Sequence, residues 1–142
     1  MKKKYRVLLC DKPDELRWII REALKPHADI EVVGEVSGGE AVIAAAVQLL
    51  PDLVILDVSM PDGDGFQATR EILNKAPAVR VLAYSAVSIW QTVDQMFTAG
   101  ARGYVLKQGD PSELVRAIRT VLADGFFLSP GLMSSTAAVE QE

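Results

Sequence analysis

The 142-residue sequence predicts an α/β domain, a doubly wound parallel sheet of five strands assembled from five β/α units. Two patterns carry that prediction. Short runs rich in β-branched residues occur at 6–10, 30–36, 53–56, 79–84 and 103–106, and stretches with helical apolar spacing separate them. The runs are apolar on both faces, which suits strands covered by helices on either side.

The first run stops at Asp11, and residues 14–25 follow with Leu16, Ile20, Ala23 and Leu24 on one helical face. After the second run, Ser37 and Glu40 read as a capping box for an Ala/Val-rich helix over 37–50. The third run stops at Asp57. Asp64 can then cap a helix over 64–75, with Phe66, Thr69, Ile72 and Leu73 available to pack. The fourth run leads to Ser85 and a helix over 88–99, striped by Ile89, Val93, Met96 and Phe97 and ended by Gly100. The fifth stops at Lys107. Asp110 and Pro111 open the last helix, which runs through Leu114, Ile118, Val121 and Leu122 to Gly125. Residues 126–142 have little periodic apolar content and read as a tail or linker, so the domain is assigned to 1–125.

Composition narrows the function. Apolar residues make up 49% and charged residues 24%, the balance of a water-exposed globular domain. A net charge of −4 disfavours direct contact with nucleic acid or an anionic membrane. The apolar run after the basic N-terminus is too short for a signal peptide or a membrane span. A single cysteine, Cys10, fits a reducing cytoplasm and a small core residue. His27, the only histidine, has no catalytic partner in view.

In open α/β sheets the reactive groups lie beyond the carboxyl ends of the strands. That rule selects Asp11, Asp57, Ser85 and Lys107. The segment from Asp57 through Met60-Pro61-Asp62-Gly63 to Gly65 is the most informative, because Pro and Gly there shape a sharp turn beside an emerging carboxylate.

That segment resembles the phosphoacceptor loop of response-regulator receiver domains, and the resemblance extends over 5–125. It includes Asp11, Ser85-Ala86 and Gly103-Tyr104-Val105-Leu106-Lys107. The stretch from Asp29 to Glu35 and the late Leu128-Ser129-Pro130 look like the NarL/FixJ subfamily. The resemblance implies a flavodoxin-like receiver fold. It also implies a cytoplasmic two-component switch, phosphorylated on Asp57 by a sensor histidine kinase and turning over no external substrate. Lys107 and Ser85 would contact the phosphoryl group, and Mg²⁺ would sit on Asp11, Asp57 and the Ser59 carbonyl. Tyr104 would be the aromatic that turns inward with Ser85. Output, such as transcription regulation, would belong to a helix-turn-helix domain after the linker.

One departure stands out. Receivers of this kind carry two adjacent acids after the first strand, whereas this chain has Asp11-Lys12. Two unit charges about 4 Å apart interact by roughly 4 kcal/mol at an effective dielectric of 20, so an ammonium at Lys12 can compete with Mg²⁺. The alternative function is therefore a receiver-like interaction module that works without phosphorylation. A flavin-binding carrier on the same fold is disfavoured, because the loop from Asp11 to Glu15 is acidic and lacks Gly. Trp18 lies off the apolar stripe of its helix and reads as an interface residue. Trp90 lies beside its own stripe and reads equally well either way. These positions suggest a homodimer through the first and fifth helices.

Overall fold

The computed structural model describes residues 4–11, 14–60 and 63–132. Its elements run β1 (Tyr5–Cys10), α1 (Asp14–Leu24), β2 (Ile30–Val36), α2 (Gly39–Leu49), β3 (Leu53–Leu56), β4 (Ser59–Met60), β5 (Gly63–Asp64), α3 (Gly65–Lys75), β6 (Arg80–Ser85), α4 (Trp90–Ala99), β7 (Gly103–Leu106), α5 (Pro111–Leu122) and β8 (Phe127–Leu128). The main sheet is parallel throughout, in the order β2-β1-β3-β6-β7-β8. The expected five-strand count is corrected to six, because Phe127 and Leu128 pair with Gly103 and Tyr104. β4 and β5 form a separate two-stranded antiparallel hairpin.

Strand alternation sorts the core into two layers. Leu8, Cys10, Val54, Leu56, Val81, Ala83 and Tyr104 face α2, α3 and α4, where Val42, Ile72 and Met96 meet them. Val7, Leu9, Leu53, Ile55, Leu82, Tyr84 and Val105 face α1 and α5, against Ile20, Leu114 and Ile118. This is why the strands read as unbroken apolar runs. The expected core role of Leu16 lies outside the described side chains.

Several caps follow the sequence closely. The Asp64 carboxylate accepts from Gln67 N–H at 2.8 Å, and Asp110 accepts from Ser112 N–H at 2.8 Å with Pro111 at the first helical position. Gly100 ends α4 at φ 115, a left-handed conformation that disfavours other residues. The Ser37–Glu40 capping box does not form: Gly38 is the N-cap of α2, with no side-chain cap. Gly38 adopts φ 121 there, a conformation that favours glycine, and its carbonyl accepts from Val42 N–H at 3.1 Å. The first helical turn therefore closes one residue later than the box requires, and this backbone turn takes precedence over the side-chain cap. α4 likewise begins at Trp90, two residues later than expected.

The segment expected to begin the tail is instead held to the sheet. Ser129 N–H donates to Tyr104 O at 3.1 Å, and its hydroxyl accepts from Leu106 N–H at 2.9 Å while donating to the Glu113 carboxylate. Leu132 is fully buried in the layer that holds Tyr104. Across the molecule, Arg119 of α5 forms a two-pronged ion pair with Asp29, just before β2, and reaches His27 Nδ1 at 3.1 Å.

Two outcomes test these contacts. Leu132→Ala should lower unfolding free energy by about 2–3 kcal/mol in urea titrations, since a buried Leu loses its packing. The Arg119 guanidinium holds the Asp29 carboxyl below its ordinary value of 3.8. That stabilisation is present above pH 3.8 and is lost as pH falls through the depressed value. Asp29→Asn should therefore lower the melting temperature at pH 7, and the gap from wild type should close as the solution is acidified below pH 3.8 and on through the depressed value.

Candidate functional site

β1, β3, β6 and β7 are consecutive neighbours in the sheet, and each ends at one of the polar residues singled out above. The strand order reverses between β1 and β3, the usual place for a site in an open α/β sheet. Backbone bonds tie the ends together: Asp57 N–H donates to Cys10 O at 2.9 Å, and Lys107 N–H donates to Ser85 O at 2.9 Å.

The Lys107 ammonium lies 2.9 Å from Asp11 Oδ2 and 3.0 Å from Asp57 Oδ2. Both carboxylates are largely buried. Burial works against the ammonium, but hydrogen bonds and charge from the two acids outweigh it and raise the Lys107 pKa. Burial is also the main influence on Asp11. Together with the neighbouring Asp57 it raises the Asp11 pKa, with Lys107 opposing. Asp11 Oδ1 is buried without a hydrogen-bond partner.

Asp57 is held from its own loop as well. Ser59 N–H donates to Asp57 Oδ1 at 3.1 Å, and Gly65 N–H donates to Val58 O at 2.9 Å. A Cβ at Gly65 would come within 2.8 Å of Val58 Cα, so only glycine lets α3 start this close to the carboxylate. Ser59 itself is exposed.

On the other side of the site, Ser85 is buried and its Oγ accepts from Val87 N–H at 3.0 Å. Tyr104 is fully buried, turned inward, and its hydroxyl donates to Val87 O at 2.6 Å. Burial pushes the Tyr104 pKa up, against a hydrogen bond from Ser85. Gln108 Nε2 donates to Ala86 O at 3.1 Å, so three side chains grip the loop after β6.

The structure thus brings together Asp11, Asp57, Ser59, Ser85, Lys107 and Tyr104. Lys12 lies outside the described residues. Trp18 and Trp90 sit apart from the site, 55% and 42% exposed on α1 and α4. Sequence reading missed Tyr84, whose ring centre is 5.8 Å from Lys107 Nζ. An aromatic one residue before Ser85, on the opposite sheet face, was the available signal. It also missed the Ser129–Glu113 contact, although Ser129 stood inside a motif already noticed.

Two neighbouring carboxylates, a shared ammonium and a buried hydroxyl are thus presented at consecutive strand ends. The response regulator receiver domain family matches residues 7–119, and the chain belongs to it. It is a receiver domain of two-component systems, of the NarL/FixJ type. It is 35% identical over 132 residues to the response regulator GacA of Pseudomonas viridiflava, covering 93% of this chain and 62% of that protein. It is 33% identical over 132 residues to the nitrate/nitrite response regulator protein NarL of Escherichia coli K12, covering 93% and 61%. A LuxR-family two-component response regulator from Aurantimonas sp. SI85-9A1 superposes with a TM-score of 0.91 at 30% identity, covering 98% of this chain and 99% of that one. The chain spans about three-fifths of the length of the curated relatives it matches. Among the described residues, no helix is long and apolar enough to cross a membrane.

Asp11 is the weak point of this constellation in stability terms. A neutral amide there removes a desolvated charge whose pKa is raised, a penalty that the wild type carries at neutral pH and sheds as pH falls. Asp11→Asn should raise the unfolding free energy at pH 7 by about 1 kcal/mol. Its advantage over wild type should shrink on acidification, both read by denaturant melts.

Proposed function

We propose that Asp57 is the phosphoacceptor, taking its phosphoryl group from a phosphohistidine of a sensor histidine kinase. The carrying observation is the Asp57 carboxylate at a strand end, within 3.0 Å of an ammonium that is shared with Asp11. An Asp57 carboxylate oxygen attacks phosphorus, the phosphorus–nitrogen bond breaks, and its electron pair returns to the imidazole. With a small donor such as acetyl phosphate, a phosphorus–oxygen bond breaks and acetate leaves. Lys107 then pairs with the phosphoryl oxygens, and the Ser85 hydroxyl, whose oxygen accepts from Val87 N–H, donates a hydrogen bond to one of them. The protein is the acceptor of the group and turns over no external substrate.

The donor set fits a divalent cation: two carboxylates, one of them with a buried oxygen that lacks a hydrogen-bond partner. Asp11, Asp57 and the Ser59 carbonyl would hold Mg²⁺, which when bound neutralises phosphoryl charge. Among the described residues, no group of three or more His, Cys, Asp or Glu side chains could hold a metal. With Lys12 where an acid is usual, the affinity for Mg²⁺ is reduced and phosphorylation is slow.

Tyr104, buried beside the loop that Ser85 holds, is the switch aromatic. Output passes to a DNA-binding domain joined beyond Leu132, and this domain makes no direct nucleic-acid contact, in keeping with its net charge of −4. Trp18 on α1 and the neighbouring α5 are the surface for a homodimer, with Trp90 a second candidate contact. The working compartment is the cytoplasm. Lys12 also favours a second reading, in which the domain acts as an interaction module independent of phosphate.

Intact mass after incubation with acetyl phosphate separates the readings. Wild type should gain one phosphoryl group slowly with Mg²⁺, Asp57→Ala none, and Lys12→Asp should gain it at least about tenfold faster, since a tenfold change takes only about 1.4 kcal/mol of the roughly 4 kcal/mol that one such charge interaction supplies. A wild type that stays unmodified while Lys12→Asp is modified would favour the phosphate-independent module. Modification that persists in Asp57→Ala would remove Asp57 as acceptor.

A further inference from the structure

Two tyrosines flank the site on opposite faces of the sheet. Tyr104 belongs to the layer under α2, α3 and α4, and Tyr84 to the layer under α1 and α5. Tyr104 has a place in the switch; Tyr84 does not. We infer that Tyr84 is a positioning residue for Lys107, its ring face restraining the ammonium that Asp11 and Asp57 share. The inference rests on the reading of Asp57 as phosphoacceptor and extends it to a residue outside the acidic cluster.

The backbone makes the meeting unavoidable. Tyr84 pairs with Val105 across β6 and β7, and both side chains lie in the α1/α5 layer. Residues two apart along an extended chain project to the same side, so Lys107 leaves the sheet on the face of Val105 and Tyr84. The bond from Lys107 N–H to Ser85 O, 2.9 Å long, fixes the base of the lysine beside the tyrosine. The ammonium then stands 5.8 Å from the ring centre, within the range of attraction between a cation and an aromatic face. Tyr84 is only 7% exposed and packs with Val105 and Leu114, so the ring is held in place.

The chemistry gives this contact a specific use. An ammonium has three N–H donors, and Asp11 and Asp57 engage it at 2.9 and 3.0 Å. A third carboxylate or carbonyl would compete for the remaining donor. An aromatic face attracts the charge through its quadrupole and offers no lone pair, so it restrains a long flexible stem while leaving a donor for a phosphoryl oxygen. When charge moves from the Asp57 carboxylate onto the phosphoryl group, the ammonium shifts outward along the ring without losing its third contact. Burial raises the Tyr84 pKa, with Lys107 opposing, which keeps the hydroxyl neutral. The ring and not the hydroxyl is the working part.

The test uses the full chain with Tyr84→Phe, Tyr84→Leu and Tyr84→Met, the last filling the core with an unbranched side chain. Two quantities are read: the rate of phosphoryl mass gain from acetyl phosphate, and the NMR shifts of the Lys107 ε-methylene protons. Tyr84→Phe should match wild type in both. Tyr84→Leu and Tyr84→Met should slow mass gain about three- to tenfold and lose the upfield ring-current shift, while melting temperature stays within a few degrees for at least one of them. Wild-type rates in the Leu and Met variants, or equal slowing in Tyr84→Phe, would overturn the inference. If wild type takes up no phosphoryl group, the acceptor reading fails on its own. The ring-current shift then decides alone: its presence in wild type and Phe sustains the positioning role, and its absence overturns it.

Discussion

One ammonium shared by two buried carboxylates organises this molecule. Lys107 reaches Asp11 and Asp57 at nearly equal distances, and the three residues come from the ends of β7, β1 and β3. Like charges this close repel, and a buried carboxylate left alone costs several kcal/mol. The cation makes the pair tolerable, so the acids can stay poised at the sheet edge. Everything nearby serves that arrangement: the bonds between strand ends, the glycine that lets α3 start against the loop, and the aromatic ring beside the lysine stem. The site is held ready by charge balance more than by packing, and that balance is what adding a phosphoryl group would disturb.

Much of this was legible in the sequence, for physical reasons. Runs such as Leu53–Leu56 are apolar at every position because both sheet faces are covered, and the residue after such a run must emerge at the edge. Asp64, Asp110, Pro111 and Gly100 announced helix ends through chemistry local to a few residues. The Ser37–Glu40 box failed because a competing local feature, the conformation of Gly38, took precedence. Phe127 and Leu128 are too short a run to read as a strand, and what makes them one is the open edge of β7, a tertiary fact. The contact of Tyr84 with Lys107 depends on residues 23 apart in sequence meeting across a strand pair, which no local pattern announces.

Each of the two core layers carries one aromatic side chain that borders the site. Tyr104 lies in one layer and Tyr84 in the other, and both neighbour the loop or the lysine that answers to Asp57. The loop after β6 is gripped by Ser85, Tyr104 and Gln108 together, so movement of any one strains the other two. α4 starts just beyond that loop with Ile89 and Trp90 exposed. The loop that these three side chains hold therefore leads directly into α4.

The short strand β8 has a consequence for where this domain can be cut. Ser129 satisfies the Leu106 N–H and the Glu113 carboxylate, and Leu132 closes the layer above Tyr104. A chain stopped at 125 would leave the outer edge of β7 bare, with an unpaired N–H and a buried acid that has lost its partner. Such an edge recruits strands from neighbouring molecules, so a fragment trimmed to the five β/α units would be prone to aggregate. The smallest piece that folds cleanly reaches at least to Leu132.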